Sequence, residues 1–441
     1  MKGRWRLVGL AVLPVAWIAA WTPAAGAATP VLGLSDDLAF TDSRPAQRAL
    51  AFAEARRAGA RLVRITLDWS LVAPGGPVKP SGFDAAEPAD LAYRWGYVED
   101  AVRDAARHNL RVVLVIVRAP AWAEGPGRPE GAAPGSWRPD PAELGAFVRA
   151  AARRFSGFFP DPKAPGDGLT GPGGSLPRVR FWQVWDDPNA AAALQPADTA
   201  VEHYRRMLDS ASSAAKRVAG DNAVVAGAPS PAGAIAPLTF WRDLLAGPAR
   251  FDVAADGGAP RSGRLRRLRM LLARADVRGP LWLTDLGWET PPRNPAGVSP
   301  ARQARLLTEA VFRADRADVS QVIWNGLQDR ISYLPGFPSI ASGLFFNYTE
   351  DLARDPAKPA RRAYHFPFLV RRAGRRVRAW GIAPRPRAHV SIERRRGGRW
   401  RRVERVRASR SGEFRARKRG RHGLFRARQG STRSLAWRST R

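Results

Sequence analysis

No cysteine occurs in the 441 residues. That absence excludes disulfide staples, thiolate metal sites, a cysteine nucleophile and a lipid-modified cysteine anchor. The fold must rest on its apolar core, and a chain of this length can build one. Histidine is scarce too: His108, His203, His365, His389 and His422 are the only five, and they show no metal-ligand spacing. No glycine-rich dinucleotide loop or phosphate loop is found, so no cofactor and no metal are expected. Long apolar runs are missing except at the N-terminus. There Lys2, Arg4 and Arg6 precede an apolar stretch from Leu7 to Ala20 and an Ala25-Gly26-Ala27 match. This is the pattern of a secretory signal peptide over residues 1–28. Pro14 interrupts an apolar core already shorter than the ~20 residues a membrane span needs, so cleavage and a secreted or extracellular location are expected, with no transmembrane anchor left.

Lysine occurs six times, and acidic residues nearly vanish from the C-terminal part. From Arg371 onward there are 26 basic residues against three Glu, which is +23 of the total +33. The excess suggests contact with an acidic polymer, such as an anionic wall glycan, an acidic polysaccharide or extracellular nucleic acid, although no specific nucleic-acid motif accompanies it. A compositional drift toward Ala, Arg, Gly and Pro gives the same excess.

What is present is alternation. Strand-length apolar runs at 31–37, 61–69, 111–117, 179–185, 223–228, 251–255, 281–286 and 320–327 alternate with amphipathic helical stretches, the last at about 359–370. The continuous run Arg111 to Val117 suits a parallel strand buried on both faces. Eight such units predict a (β/α)₈ barrel over residues 29–372, whose chemistry belongs at the C-terminal ends of the strands. Asp36, Asp68, Glu124, Asp186, Asp187, Asp256, Asp285 and Asp329 all fall there. From Gly374 the pattern changes to short segments with Gly397-Gly398 and Ser411-Gly412 as turns, predicting a small all-β, sandwich-like accessory domain over 373–441.

Two segments carry the functional signal. Trp182-Gln183-Val184-Trp185-Asp186-Asp187-Pro188-Asn189 ends the fourth apolar run on paired carboxylates, and Trp282-Leu283-Thr284-Asp285-Leu286-Gly287-Trp288 ends the seventh on one. They resemble strands four and seven of clan A glycoside hydrolases, which typically read Trp-x-x-Trp-Asn-Glu-Pro-Asn and Trp-x-Thr-Glu-x-Gly-Trp. The resemblance implies a carbohydrate substrate, with Asp187 at the acid/base position, Asp285 at the nucleophile position, and Asp186 and Asn189 as sugar contacts. Arg64 matches the second-strand arginine that steadies the nucleophile, and Trp324 the aromatic platform of the eighth strand. At the sixth strand the family's His-Pro-Tyr reads Asp256-Gly257-Gly258. Trp69, Trp122, Trp185, Trp288 and Trp324 are expected near the rim as sugar-stacking faces, whereas Trp182 and Trp282 suit barrel packing.

Both reactive positions carry a carboxylate one methylene shorter than the family's. Retaining enzymes hold the pair ~5–5.5 Å apart and inverting ones ~6.5–9.5 Å. Retracting two facing groups by about 1.5 Å each widens the gap to roughly 7–8 Å, enough for a water. The resemblance thus implies either a secreted hydrolase of O-glycosidic bonds, with Asp187 as acid and Asp285 as base or nucleophile, or a catalytically silent carbohydrate-binding or cell-surface barrel.

Overall fold

The computed structural model describes residues 29–164, 173–259, 262–329, 341–349, 351–419 and 422–439; the expected signal segment lies outside them. Among the described residues no helix is long and apolar enough to cross a membrane.

Eight parallel strands close into a barrel in chain order: β1 (Val31–Ser35), β2 (Leu62–Asp68), β3 (Arg111–Val117), β4 (Phe181–Val184), β5 (Ala223–Ala226), β6 (Val253–Gly257), β7 (Leu281–Leu286) and β8 (Val319–Asn325). β1 closes the ring on β8, with Leu34 opposite Trp324. Alternate residues fill the interior, where Leu62, Val113, Val115, Val225, Val253, Ala255, Trp282 and Ile323 pack together. The intervening residues face an outer layer of helices: α1 (Asp37–Phe40), α2 (Pro45–Ala58), α3 (Trp69–Val72), α4 (Gly96–Arg107), α5 (Pro141–Arg154), α6 (Ala200–Val218), α7 (Pro237–Leu244), α8 (Ser262–Arg274), α9 (Pro300–Arg316) and α10 (Pro359–His365).

Local chemistry sets the helix ends. Asp140 accepts from the amides of Ala142 and Glu143 ahead of Pro141, and Ser299 caps α9 ahead of Pro300. Both follow the preference for a short polar cap with proline at the first helical position. Helix α2 ends on Gly59, whose φ of 108° suits a residue without Cβ.

Two antiparallel sheets follow the barrel. One has the order β13–β10–β9 and the other β12–β11–β14–β15, with β16 paired to β14. Their strands are β9 (Phe368–Ala373), β10 (Arg376–Ile382), β11 (His389–Arg396), β12 (Arg399–Arg407), β13 (Glu413–Arg419), β14 (Leu424–Gln429), β15 (Thr432–Arg433) and β16 (Trp437–Arg438). The helix expected over 359–370 stops at His365, because Pro367 cannot extend it and restricts the residue before it. Residues 368–373 are instead a strand of the accessory sheets. These sheets dock on α9: the Trp380 indole donates to Asp315 Oδ2 at 3.1 Å, and its ring meets Phe312 edge-on at 5.2 Å.

Candidate active site

Strand β4 decides which side chains reach the barrel mouth. Phe181 points inward against the Trp282 ring at 5.2 Å, and Trp182 points outward into the layer of helices. Gln183 therefore points inward. The chain then leaves the strand sharply: Trp185 has φ 65° and Asp187 φ 48°, left-handed values that L side chains resist at a cost of about 1–2 kcal/mol each. The surroundings impose this turn. Trp185 donates its amide to Ile116 O at 2.9 Å and its indole to Ala193 O at 2.8 Å. Tyr204 donates to Val184 O at 2.7 Å. Asn189 donates to Ser230 O and Ile235 O at 2.8 and 2.6 Å and accepts from the Ser230 amide at 2.7 Å. A Cβ at Gly233 would lie 2.1 Å from Asn189 Nδ2, so the bracing also depends on that glycine.

The turn delivers the two carboxylates into a charged cluster. Buried Arg64, from β2, brings Nη2 to 2.7 Å from Asp186 Oδ1. Gln183 links the pair, accepting from Arg64 Nε at 3.2 Å and donating to Asp186 Oδ1 at 3.2 Å. From β7, half-buried Asp285 accepts from Asn325 Nδ2 of β8 at 3.0 Å. Burial pushes the Asp187 carboxyl up to about 8; the charges of Asp186 and then Asp285 add to this, and Arg64 opposes it. Burial, then Asp186, also raises the Asp285 carboxyl, against Arg64 and the Asn325 amide. Burial works against the Arg64 charge, but Asp186 and then Asp285 hold it. Burial and the neighbouring charges thus favour the proton-bearing form of Asp187, within electrostatic reach of Asp285 on β7.

The other expected residues divide. Asp186 and Arg64 join the cluster, although the short ion pair of Arg64 runs to Asp186 and its influence on Asp285 is through charge. Trp122 and Trp288 are half-buried. Trp122 donates to Pro74 O at 2.7 Å, and Lys79 Nζ lies 5.3 Å from the centre of its ring.

Four expected sugar contacts need correcting. Trp69 is wholly buried, stacked on Phe147 of α5 at 5.6 Å, so it offers no face to a ligand. Trp324 has the outward parity of β8 and is buried, donating to Ser342 O at 3.0 Å. Asn189 is buried and engaged in bracing the turn. Trp185, also expected at the rim, is 1 % exposed.

Among the remaining strand-end carboxylates, Asp256 points outward to Arg264 of α8 at 2.9 Å, and Asp36 receives the amides of Leu327 and Gln328. Asp68 caps α3 and pairs with Arg118, and Glu124 accepts from the Trp137 amide. Asp329 pairs with Lys358 in the interior. No group of residues suited to hold a metal occurs among the described residues.

Gln183 and Asn325 were not anticipated. The signal was available in the strand period of two: once Phe181 and Ile323 face inward, residues 183 and 325 must as well.

No protein-family model matches the chain, and no curated protein matches it. Solved structures do. A family 39 glycoside hydrolase from the gut symbiont Bacteroides cellulosilyticus WH2 aligns with a TM-score of 0.53 at 15% identity, covering 88% of this chain and 81% of that one. The GH39 enzyme from Xanthomonas axonopodis pv. citri gives 0.53 at 16%, covering 88% and 91%. A GH39 β-xylosidase from Caulobacter crescentus gives 0.50 at 18%, covering 84% of each chain. At these identities the likeness establishes the shared fold.

Proposed function

We propose that the protein is a secreted glycoside hydrolase that cleaves O-glycosidic bonds of an oligo- or polysaccharide, with Asp187 as general acid and Asp285 as base. The observation that carries this reading is the convergence of Asp187, from the end of β4, and Asp285, from β7, on the Arg64–Asp186 pair at the mouth of a closed barrel, where burial raises both carboxyls. Glycoside cleavage needs such a pair: one carboxyl to protonate the leaving oxygen, the other ionised to act at the anomeric carbon. Asp186 neutralises Arg64 and keeps a negative charge next to Asp187, which favours the proton-bearing form of the donor. The structural neighbours include proteins described as a family 39 glycoside hydrolase and a β-xylosidase, and that agrees with a carbohydrate substrate.

The shorter Asp side chains suit an inverting reaction, in which Asp285 activates a water. The Arg-rich sheets would hold the enzyme on an anionic wall or extracellular polymer. Their register sets Arg371, Arg378 and Arg417 in one row across three strands, and Arg376 opposite Arg419. Like charges facing each other repel unless an anion lies between them.

A silent, sugar-binding barrel is favoured by one observation: Arg64 is engaged by Asp186 at 2.7 Å, away from the position of a nucleophile. A screen on mixed polysaccharides, following product anomers by NMR, separates the two readings. Hydrolysis with inversion, lost in both Asp187→Asn and Asp285→Asn, is the expected result. Binding of glycans with no turnover would establish the silent barrel, and turnover surviving both substitutions would remove both assignments.

A further inference from the structure

The face of the barrel opposite Asp187 and Asp285 carries a cavity of about 490 Å³ with an unusual lining. Helices of a (β/α)₈ barrel run against its strands, so the C-terminal ends of α2 and α10 mark the face away from the strands' C-terminal ends. Arg57 lies at the end of α2, and Arg361, Arg362 and His365 lie on the last turns of α10. The accessory sheets complete the wall with Trp400, Arg426, Ser431, Thr432 and Arg433. Five guanidinium groups from three parts of the chain thus surround one space.

Local carboxylates do not balance them. Glu54 serves both Arg57 and Arg361, the latter at 2.9 Å. Glu393 accepts from Arg426 and Arg428, each at 2.7 Å. Arg362 and Arg433 are exposed, and neither has an ion-pair partner among the described residues. Arg361 Nε is a buried donor with no partner among them. Arg426 is already fixed over the Trp400 ring at 4.2 Å, so that aromatic face holds an arginine and is not free to stack on a sugar. Burial and then the nearby Arg361 charge keep His365 below its ordinary range, against the opposing bond to Ala58 O, so the positive charge is that of the arginines.

We propose that this junction cavity binds a compact multivalent phosphate-type anion, clamped between the barrel's α2 and α10 and the accessory sheets. Guanidinium forks match phosphate oxygens in pairs, and several charges in a small volume answer two unpaired arginines and three that share their carboxylates better than a single sugar carboxylate does. The volume is within the range of small-ligand sites. The anion's source is either a free inorganic polyphosphate or a phosphodiester segment of an anionic polymer.

Titration calorimetry of the mature full chain at constant ionic strength tests this, with inorganic tripolyphosphate and, separately, a glycerol-phosphate oligomer as probes. Binding of at least one probe is expected, weakened about tenfold or more by Arg362→Ser with Arg433→Ser. Arg266→Ser with Arg267→Ser on the distant, exposed face of α8 removes the same charge and is expected to leave the affinity within about twofold. Tighter binding of tripolyphosphate would identify a free anion, and tighter binding of the oligomer a polymer segment. Equal weakening by both double substitutions would overturn the proposal, since binding would then follow net charge alone; so would the absence of binding by either probe.

Discussion

At the scale of single residues, Asp187 concentrates three costs: a left-handed backbone, partial burial and two neighbouring carboxylates. Each raises the free energy of its charged form or its conformation, and such costs gather where a site has a task. If Asp187 donates the proton, turnover should fall as pH rises through about 8, because the donor is lost there. Asp285, required ionised, should set the acid limb above the ordinary carboxylate range. Asp187→Asn should lower kcat by about 10²–10⁴, the span that general acid catalysis supplies. Its effect on stability should have the opposite sign. The folded state holds the Asp187 proton up to about 8 and the unfolded chain releases it near 3.8, so this group's contribution to stability falls as pH rises between those values. The Asn variant should therefore be stabilised over the parent at pH 9 and little changed at pH 4, as urea midpoints at the two pH values would record.

At the scale of elements, the loop from β8 to α10 is fastened by a buried ion pair. Lys358 Nζ donates to Asp329 Oδ1 at 2.6 Å, Thr290 Oγ1 at 2.8 Å and Ala341 O at 3.1 Å, and both charged side chains are at most 1 % exposed. Burial raises the Asp329 carboxyl and lowers the Lys358 ammonium, while their mutual attraction opposes both shifts. Removing one partner leaves the other uncompensated in the interior. Lys358→Met alone should destabilise by about 3–5 kcal/mol, and adding Asp329→Asn should restore much of the loss, a double-mutant cycle readable by denaturant unfolding.

At the scale of the whole molecule, charge and fold are divided between two regions. Most of the excess charge, +23 of +33, follows residue 370, yet the sheets carrying it are anchored to the barrel by Trp380, Phe312 and Arg415 around Asp315. A truncation at Gly374 would leave β9 without its partner strand, so the informative end point lies before Phe368. Protein ending there should elute from an anionic matrix at lower salt than the full chain, and its remaining retention should be less sensitive to ionic strength. Identical elution of the two forms would show that the C-terminal charge has no part in retention.

The order of strands and helices was legible in the sequence because burial on a strand repeats every two residues and on a helix every 3.6, and those periods are local. The position of Asp187 and Asp285 at strand ends followed from the same periods together with the resemblance of their flanking tryptophans. What the flanking residues do was decided only by tertiary structure. Trp69, Trp324 and Asn189 have types suited to a sugar site, but parity turns Trp324 outward, Phe147 covers Trp69, and the 230–235 loop consumes the Asn189 carboxamide. Gln183 and Asn325 became partners of Asp186 and Asp285 only once four strands met at the barrel mouth. The raised Asp187 carboxyl has the same origin: burial and the field of neighbouring charges depend on distances through space, and separation along the chain does not set them.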